Sequence, residues 1–177
     1  MRAAAVRPVG LGAAGLATAR TSYAVRPDAV VTVEDLFPRA ATAPAPFEVT
    51  VGERFDTLAL PRRTARELIG RFGWMRPHPV GAAVCRALTD EWVLFLPPGS
   101  GEGLHWSWPA EHREKGAFLV PPRAAEPDDD LRWARLGNDE GRVFSAPLLL
   151  FFALFPNQVV RPPRSTTVHA DRTPVRI

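Results

Sequence analysis

Two apolar runs that each stop at a pair of prolines do most to limit the folds open to this chain. Trp92-Val93-Leu94-Phe95-Leu96 is an unbroken aromatic and β-branched stretch, the length of one buried strand, and it ends at Pro97-Pro98-Gly99-Ser100-Gly101. Ala117-Phe118-Leu119-Val120 ends the same way at Pro121-Pro122. Proline has no N–H to donate to a ladder, so each pair closes its strand and turns the chain. A Trp-rich connection, Leu104-His105-Trp106-Ser107-Trp108-Pro109, joins the runs, and the expectation is two core strands in one supersecondary unit.

The elements around this unit follow from periodicity. Phe47 to Val51 and Phe55 to Leu60 alternate apolar and polar residues on either side of Gly52-Glu53-Arg54, which predicts a hairpin or a pair of strands. Arg62 to Phe72 carries Leu68, Ile69 and Phe72 on one side, with Arg62, Arg63, Arg66, Glu67 and Arg71 largely on the other. This is an amphipathic helix stopped by Gly73. Ser145-Ala146-Pro147 reads as an N-cap and first-turn proline before a short, wholly apolar helix from Leu148 to Phe155. That run falls far short of the about 20 residues a bilayer crossing needs. It is therefore a core helix or a self-association face, with Leu148, Phe151, Phe152 and Phe155 as the candidate contacts, and no membrane partner is expected.

With 177 residues, 46% of them hydrophobic, the chain is long enough for one domain with a real core. The predicted class is α+β: a single domain over 45–157 with a small, mainly antiparallel sheet and a few helices. Residues 1–44 read as a poorly ordered leader and linker with one possible strand, Ala29 to Val33. Residues 158–177 read as a basic, proline-punctuated tail.

Three segments carry a family resemblance: Asp90-Glu91-Trp92-Val93-Leu94-Phe95-Leu96-Pro97-Pro98-Gly99, then Lys115-Gly116-Ala117-Phe118-Leu119-Val120-Pro121-Pro122, then Leu131-Arg132-Trp133. Together they resemble the second half of the bifunctional DNA primase/polymerase N-terminal domain, the prim-pol fold, over roughly residues 48–135. In that family a D-x-D pair on the strand matching Phe55 to Pro61 holds the divalent ions of nucleotidyl transfer. A histidine opens the strand matching Trp92 to Leu96, and a third acid precedes the Gly-aromatic strand. Matched to this sequence, those positions fall on Leu58, Leu60, Trp92 and the vicinity of Ala110. A register shift reaches Asp56, Glu53 or Glu111 but recovers no D-x-D.

The resemblance thus implies a pseudoenzyme without catalytic residues or cofactor, kept to bind nucleic acid, a nucleotide or a protein partner in an accessory or regulatory role. Its candidate contacts are Arg62, Arg63, Arg66 and Arg71 for phosphates and Trp92, Trp106 and Trp108 for stacking on bases. The alternative role for the tryptophans is core filling, and for the arginines solubility of the helix.

Other chemistry has weaker support in the sequence. Gly10-Leu11-Gly12-Ala13-Ala14-Gly15 is a GxGxxG, and Glu34 follows the strand-like Val30-Val31-Thr32-Val33. Gly10, Gly12, Gly15 and Glu34 are the candidates in an alternative dinucleotide-binding reading. Arg7-Pro8 interrupts both the strand that reading needs and the apolar centre of a secretory leader, so a cytoplasmic location is expected. The net charge of +3 permits a polyanionic partner without demanding one, and Lys115 is the sole lysine. One cysteine, Cys85, excludes an internal disulfide and a cysteine-built zinc site. His78, His105, His112 and His169 never pair at a metal-motif spacing, so no metal ligands are expected. Ser100 lacks a nucleophile elbow, and Asp128 to Asp130 reads as a solvated loop.

Overall fold

A computed structural model describes residues 30–158. Thr32 opens the first helix, α1 (Val33–Leu36): its hydroxyl accepts the Asp35 N–H at 3.3 Å, and the Asp35 carboxylate accepts the Thr32 N–H at 2.9 Å. This reciprocal capping box satisfies donors that a β-branched run would otherwise carry into a strand, so Val33, expected to end one, is helical instead. A 3-10 turn, Pro38–Ala41, follows. Val33, Leu36, Phe37 and Ala40 are all buried in the core, so the packed unit begins before the expected boundary at 45.

Seven strands come next. β1 (Phe47–Val51) pairs antiparallel with β6 (Gly116–Val120), Phe47 opposite Val120 and Val51 opposite Gly116. The second sheet runs in the order β5 (Glu111–Arg113), β2 (Asp56–Pro61), β4 (Glu91–Leu96), β3 (Ala83–Arg86), β7 (Leu131–Arg135), and every neighbouring pair is antiparallel. The expected hairpin of β1 with β2 does not form. Both strands instead pair, one after the other, with the β5–β6 segment, giving a bent ribbon whose halves belong to different sheets. The bend sits at Gly52, whose φ is +101°, whose N–H donates to Phe55 O at 2.7 Å, and which lies so close to the Glu114 carbonyl that a Cβ would overlap it. By the same topology β4 and β6, expected as one unit, lie in different sheets.

Alternation along β2 and β4 then divides the core into two faces. Val93 and Phe95 join Phe37, Phe55 and Phe118 on one side, where four phenylalanine rings meet at centroid distances of 5.1 to 6.4 Å. Leu58, Leu60, Leu94 and Leu96 point to the other, against Ala65, Leu68 and Phe72 around α2 (Arg62–Arg71) and Leu150, Phe151 and Phe155 around α3 (Pro147–Leu154). An Arg71 Nη1 bond to Ala153 O, 2.7 Å, ties the two helices together. Both helices fall where the sequence predicts them, and the chain is a small single-domain α+β fold with antiparallel sheets. Among the described residues no helix is long and apolar enough to cross a membrane.

Candidate functional site

Leu58, Leu60, Trp92 and Ala110, widely separated in sequence, come together in space. Leu60 lies opposite Trp92 in the β2–β4 register, and Ala59 lies opposite Glu111, which brings Ala110 to the same end of the sheet. All four belong to one apolar cluster closed by Ala65, Leu68, Leu150 and Phe151, and Leu58 and Leu60 are wholly enclosed.

Polar groups gather towards the other end of β2. Asp56 lies two residues before Leu58 and so faces the same side, yet it is only 1% exposed. Its Oδ2 accepts the Ser100 N–H at 2.9 Å and stands 3.3 Å from Nε2 of His112, which pairs across the ladder with Leu58. Glu114 follows β5 and brings its Oε1 to 3.9 Å from His112 Nδ1. The loop after β4 folds over the group. Ser100 Oγ donates to Pro97 O at 2.5 Å, the Trp106 indole N–H donates to Ser100 O at 3.3 Å, and the Trp106 ring stacks on the His112 imidazole at 5.8 Å and 27°. Gly101 belongs to the same closure, because a Cβ there would overlap the Glu114 carboxylate.

Burial dominates the electrostatics of Asp56 and pushes its carboxyl above the usual carboxylate range. The Ser100 N–H and His112 pull the other way, and Glu114 adds to the rise. Asp56 Oδ1 and His112 Nε2 are enclosed without a hydrogen-bond partner among the described residues. The 3.3 Å approach of Asp56 to His112 is thus within ion-pair reach but misaligned for a hydrogen bond. One donor atom from each of Asp56, His112 and Glu114 lies within 4.8 Å of the others, a spacing that suits a shared cation. Beside them opens a cleft of about 460 Å³ lined by His105, Trp106, Trp108, Glu111, His112 and Glu114.

The predicted contact residues are distributed more widely. Arg62, Arg63 and Arg66 line one groove of about 380 Å³ with Glu67 and Asp90. Arg63 pairs with Glu67 at 2.9 Å and Arg62 approaches Asp90 at 3.9 Å, whereas Arg66 has no ion-pair partner among the described residues. Arg71 is the brace on α3. Trp92 is half-buried with its indole N–H enclosed, Trp106 forms part of the Asp56 site, and Trp108 is 88% exposed. On α3, Phe151 and Phe155 are buried, while Leu148 and Phe152 are exposed at 54% and 48%. Glu34 sits on α1 and pairs with Arg123, whereas Gly10, Gly12 and Gly15 lie outside the described residues.

Sequence reasoning missed the Asp56–His112–Glu114 group because motif spacing is local, whereas Asp56 comes from β2 and His112 and Glu114 come from β5 and the residue after it, far along the chain but adjacent in the sheet. The usable signal was smaller: an acid heading the strand-like run Thr57 to Leu60, and a histidine placed to face inward from a charged strand. Searches against protein-family models, curated proteins and solved structures found no match for this chain.

Proposed function

We propose that this chain is a primase/polymerase-like module that has lost nucleotidyl transfer and acts in the cytoplasm by binding nucleic acid in an accessory role. One observation carries the first half: Leu58, Leu60, Trp92 and Ala110, the positions that the resemblance assigns to catalysis, Leu58 and Leu60 among them to ion binding, converge in the fold, and all are apolar or aromatic. Hydrocarbon side chains hold no divalent ion. The binding half is supported by the groove of Arg62, Arg63 and Arg66 and by the exposed indole of Trp108. Guanidinium groups neutralise phosphates and an exposed aromatic ring stacks on bases without reading their sequence.

Fluorescence anisotropy with single-stranded and duplex oligonucleotides at ~50 mM salt tests this, since electrostatic binding is strongest at low salt. Arg63→Ala with Arg66→Ala is expected to lower the slope of log affinity against log salt by nearly two units on duplex, and by about 1.4 on single strands. Trp108→Ala is expected to cost about 1–3 kcal/mol with the slope unchanged. No detectable association would refute the nucleic-acid reading. The exposure of Leu148 and Phe152 favours a second reading, a protein partner or self-association through α3, and solution mass with and without Phe152→Glu tests it.

A further inference from the structure

We propose that Asp56, His112 and Glu114 bind one divalent transition-metal ion, with Zn²⁺ the preferred species. This inference does not rest on the nucleic-acid reading. It concerns Asp56 at the start of β2, ahead of Leu58 and Leu60, with His112 on β5 and Glu114 just after it.

The donor set comes first. Two carboxylates and an imidazole are borderline ligands that suit zinc, and the imidazole disfavours magnesium and calcium, which prefer oxygen shells. Zinc bonds to nitrogen and oxygen of about 2.0–2.2 Å require neighbouring donors about 3.3–3.5 Å apart in a tetrahedron. Asp56 Oδ2 and His112 Nε2 stand 3.3 Å apart. Glu114 completes a set within 4.8 Å; its Oε1 stands 3.9 Å from the other imidazole nitrogen, Nδ1, so this half-exposed side chain turns towards Nε2 to share the ion.

Independent support comes from what is unpaired. The His112 side chain is 8% exposed, yet Nε2 has no hydrogen-bond partner among the described residues, and neither has Asp56 Oδ1. An enclosed polar atom without a partner is costly; a cation on His112 Nε2 would relieve the imidazole, and it would also relieve Asp56 Oδ1 where the carboxylate chelates through both oxygens. The surroundings also hold the ligands in place. The Ser100 N–H fixes the Asp56 carboxylate, and the Trp106 ring packs, offset, along the imidazole. Three protein ligands leave a fourth position, which would face the cleft bearing His105 and Trp108.

The test uses the full chain, stripped with chelator and titrated with Zn²⁺ by calorimetry and with Co²⁺ by visible absorption, which reports tetrahedral coordination. Saturation at one ion per chain is expected, with no comparable response to Mg²⁺. His112→Gln is expected to abolish binding, and Glu114→Gln to weaken it at least about tenfold. Glu111→Gln removes a carboxylate that lines the same cleft but pairs with Arg113, and is expected to leave binding unchanged. Circular dichroism checks each variant for folding; should His112→Gln fail, the exposed Glu114 decides alone. Absence of binding, retention of wild-type affinity in Glu114→Gln, or equal loss in Glu111→Gln would overturn the assignment.

Discussion

Restoring the missing acids provides the sharpest test of what the apolar cluster under α2 and α3 is for. Leu58→Asp with Leu60→Asp recreates a D-x-D on β2 at two positions that are wholly enclosed. Removing a leucine from a core costs about 2–5 kcal/mol, and a carboxyl buried there without a partner costs about 1–3 kcal/mol more even when it stays protonated. Each substitution is therefore expected to cost about 3–8 kcal/mol, against a total of about 5–15 kcal/mol for a typical domain. The position at 58 is worse placed than 60, because Asp56 lies on the same face two residues away with its ionised form already disfavoured by burial. The double variant is expected to be unfolded, read by far-ultraviolet circular dichroism and thermal melting, and to incorporate no nucleotide with Mg²⁺ or Mn²⁺.

The single variant Leu58→Asp adds a pH signature. Burial raises the folded-state pKa of the introduced carboxyl above its unfolded value of about 3.9, so the variant is least impaired below that pH. Its stability then falls as pH rises through the folded value, by up to about 1.4 kcal/mol per unit. A double variant that melts within a few degrees of wild type, or gains metal-dependent incorporation, would refute the reasoning.

Four further outcomes follow from individual contacts. Gly81→Ala places a Cβ 2.6 Å from the Val143 carbonyl carbon and 2.7 Å from that of Phe144, so it is expected to destabilise by about 1–3 kcal/mol; an unchanged denaturation midpoint would sink this. Thr32→Ala removes the helix cap and is expected to cost about 1 kcal/mol. The Thr32 amide and hydroxyl also hold the Asp35 carboxyl below its ordinary value, so the stability gap between wild type and Asp35→Ala is present above pH ~4 and closes as pH falls through the depressed pKa. A gap that persists in acid contradicts the cap. Arg71→Ala frees the end of α3 at a cost of about 1 kcal/mol and is expected to speed amide exchange there; faster exchange confined to the strands would show that the bond to Ala153 O does not brace the helix.

The elements legible in the sequence were those whose signal is local. Arg62 to Arg71 is helical because Ala65 and Leu68 share a face, and Pro147 starts α3 because its missing N–H is one the first turn does not need. Strand partners were not legible. Alternation in Phe47 to Val51 says which side chains turn inward but not which strand lies alongside, and the bend at Gly52 sent that strand to β6 instead of β2. Val30 to Val33 shows the converse, in which β-branched propensity yielded to the Thr32–Asp35 cap. Trp106 was singled out as a contact, and its neighbour His112 was set aside, because only the stacking of one on the other reveals that they share a site.

The outermost strands of the five-stranded sheet bear on how these molecules behave when crowded together. An open edge is a row of free amides and carbonyls that invites a strand from another copy, and runaway pairing of that kind ends in aggregates. On one border β5 offers only three residues, with Glu111 and Arg113 clasped at 2.6 Å. On the other, β7 departs from regular register against β3 and carries Arg132 and Arg135, so an incoming copy would meet an irregular ladder and like charge. Both borders thus discourage an incoming strand, and truncating Arg132 and Arg135 is expected to lower the solubility limit.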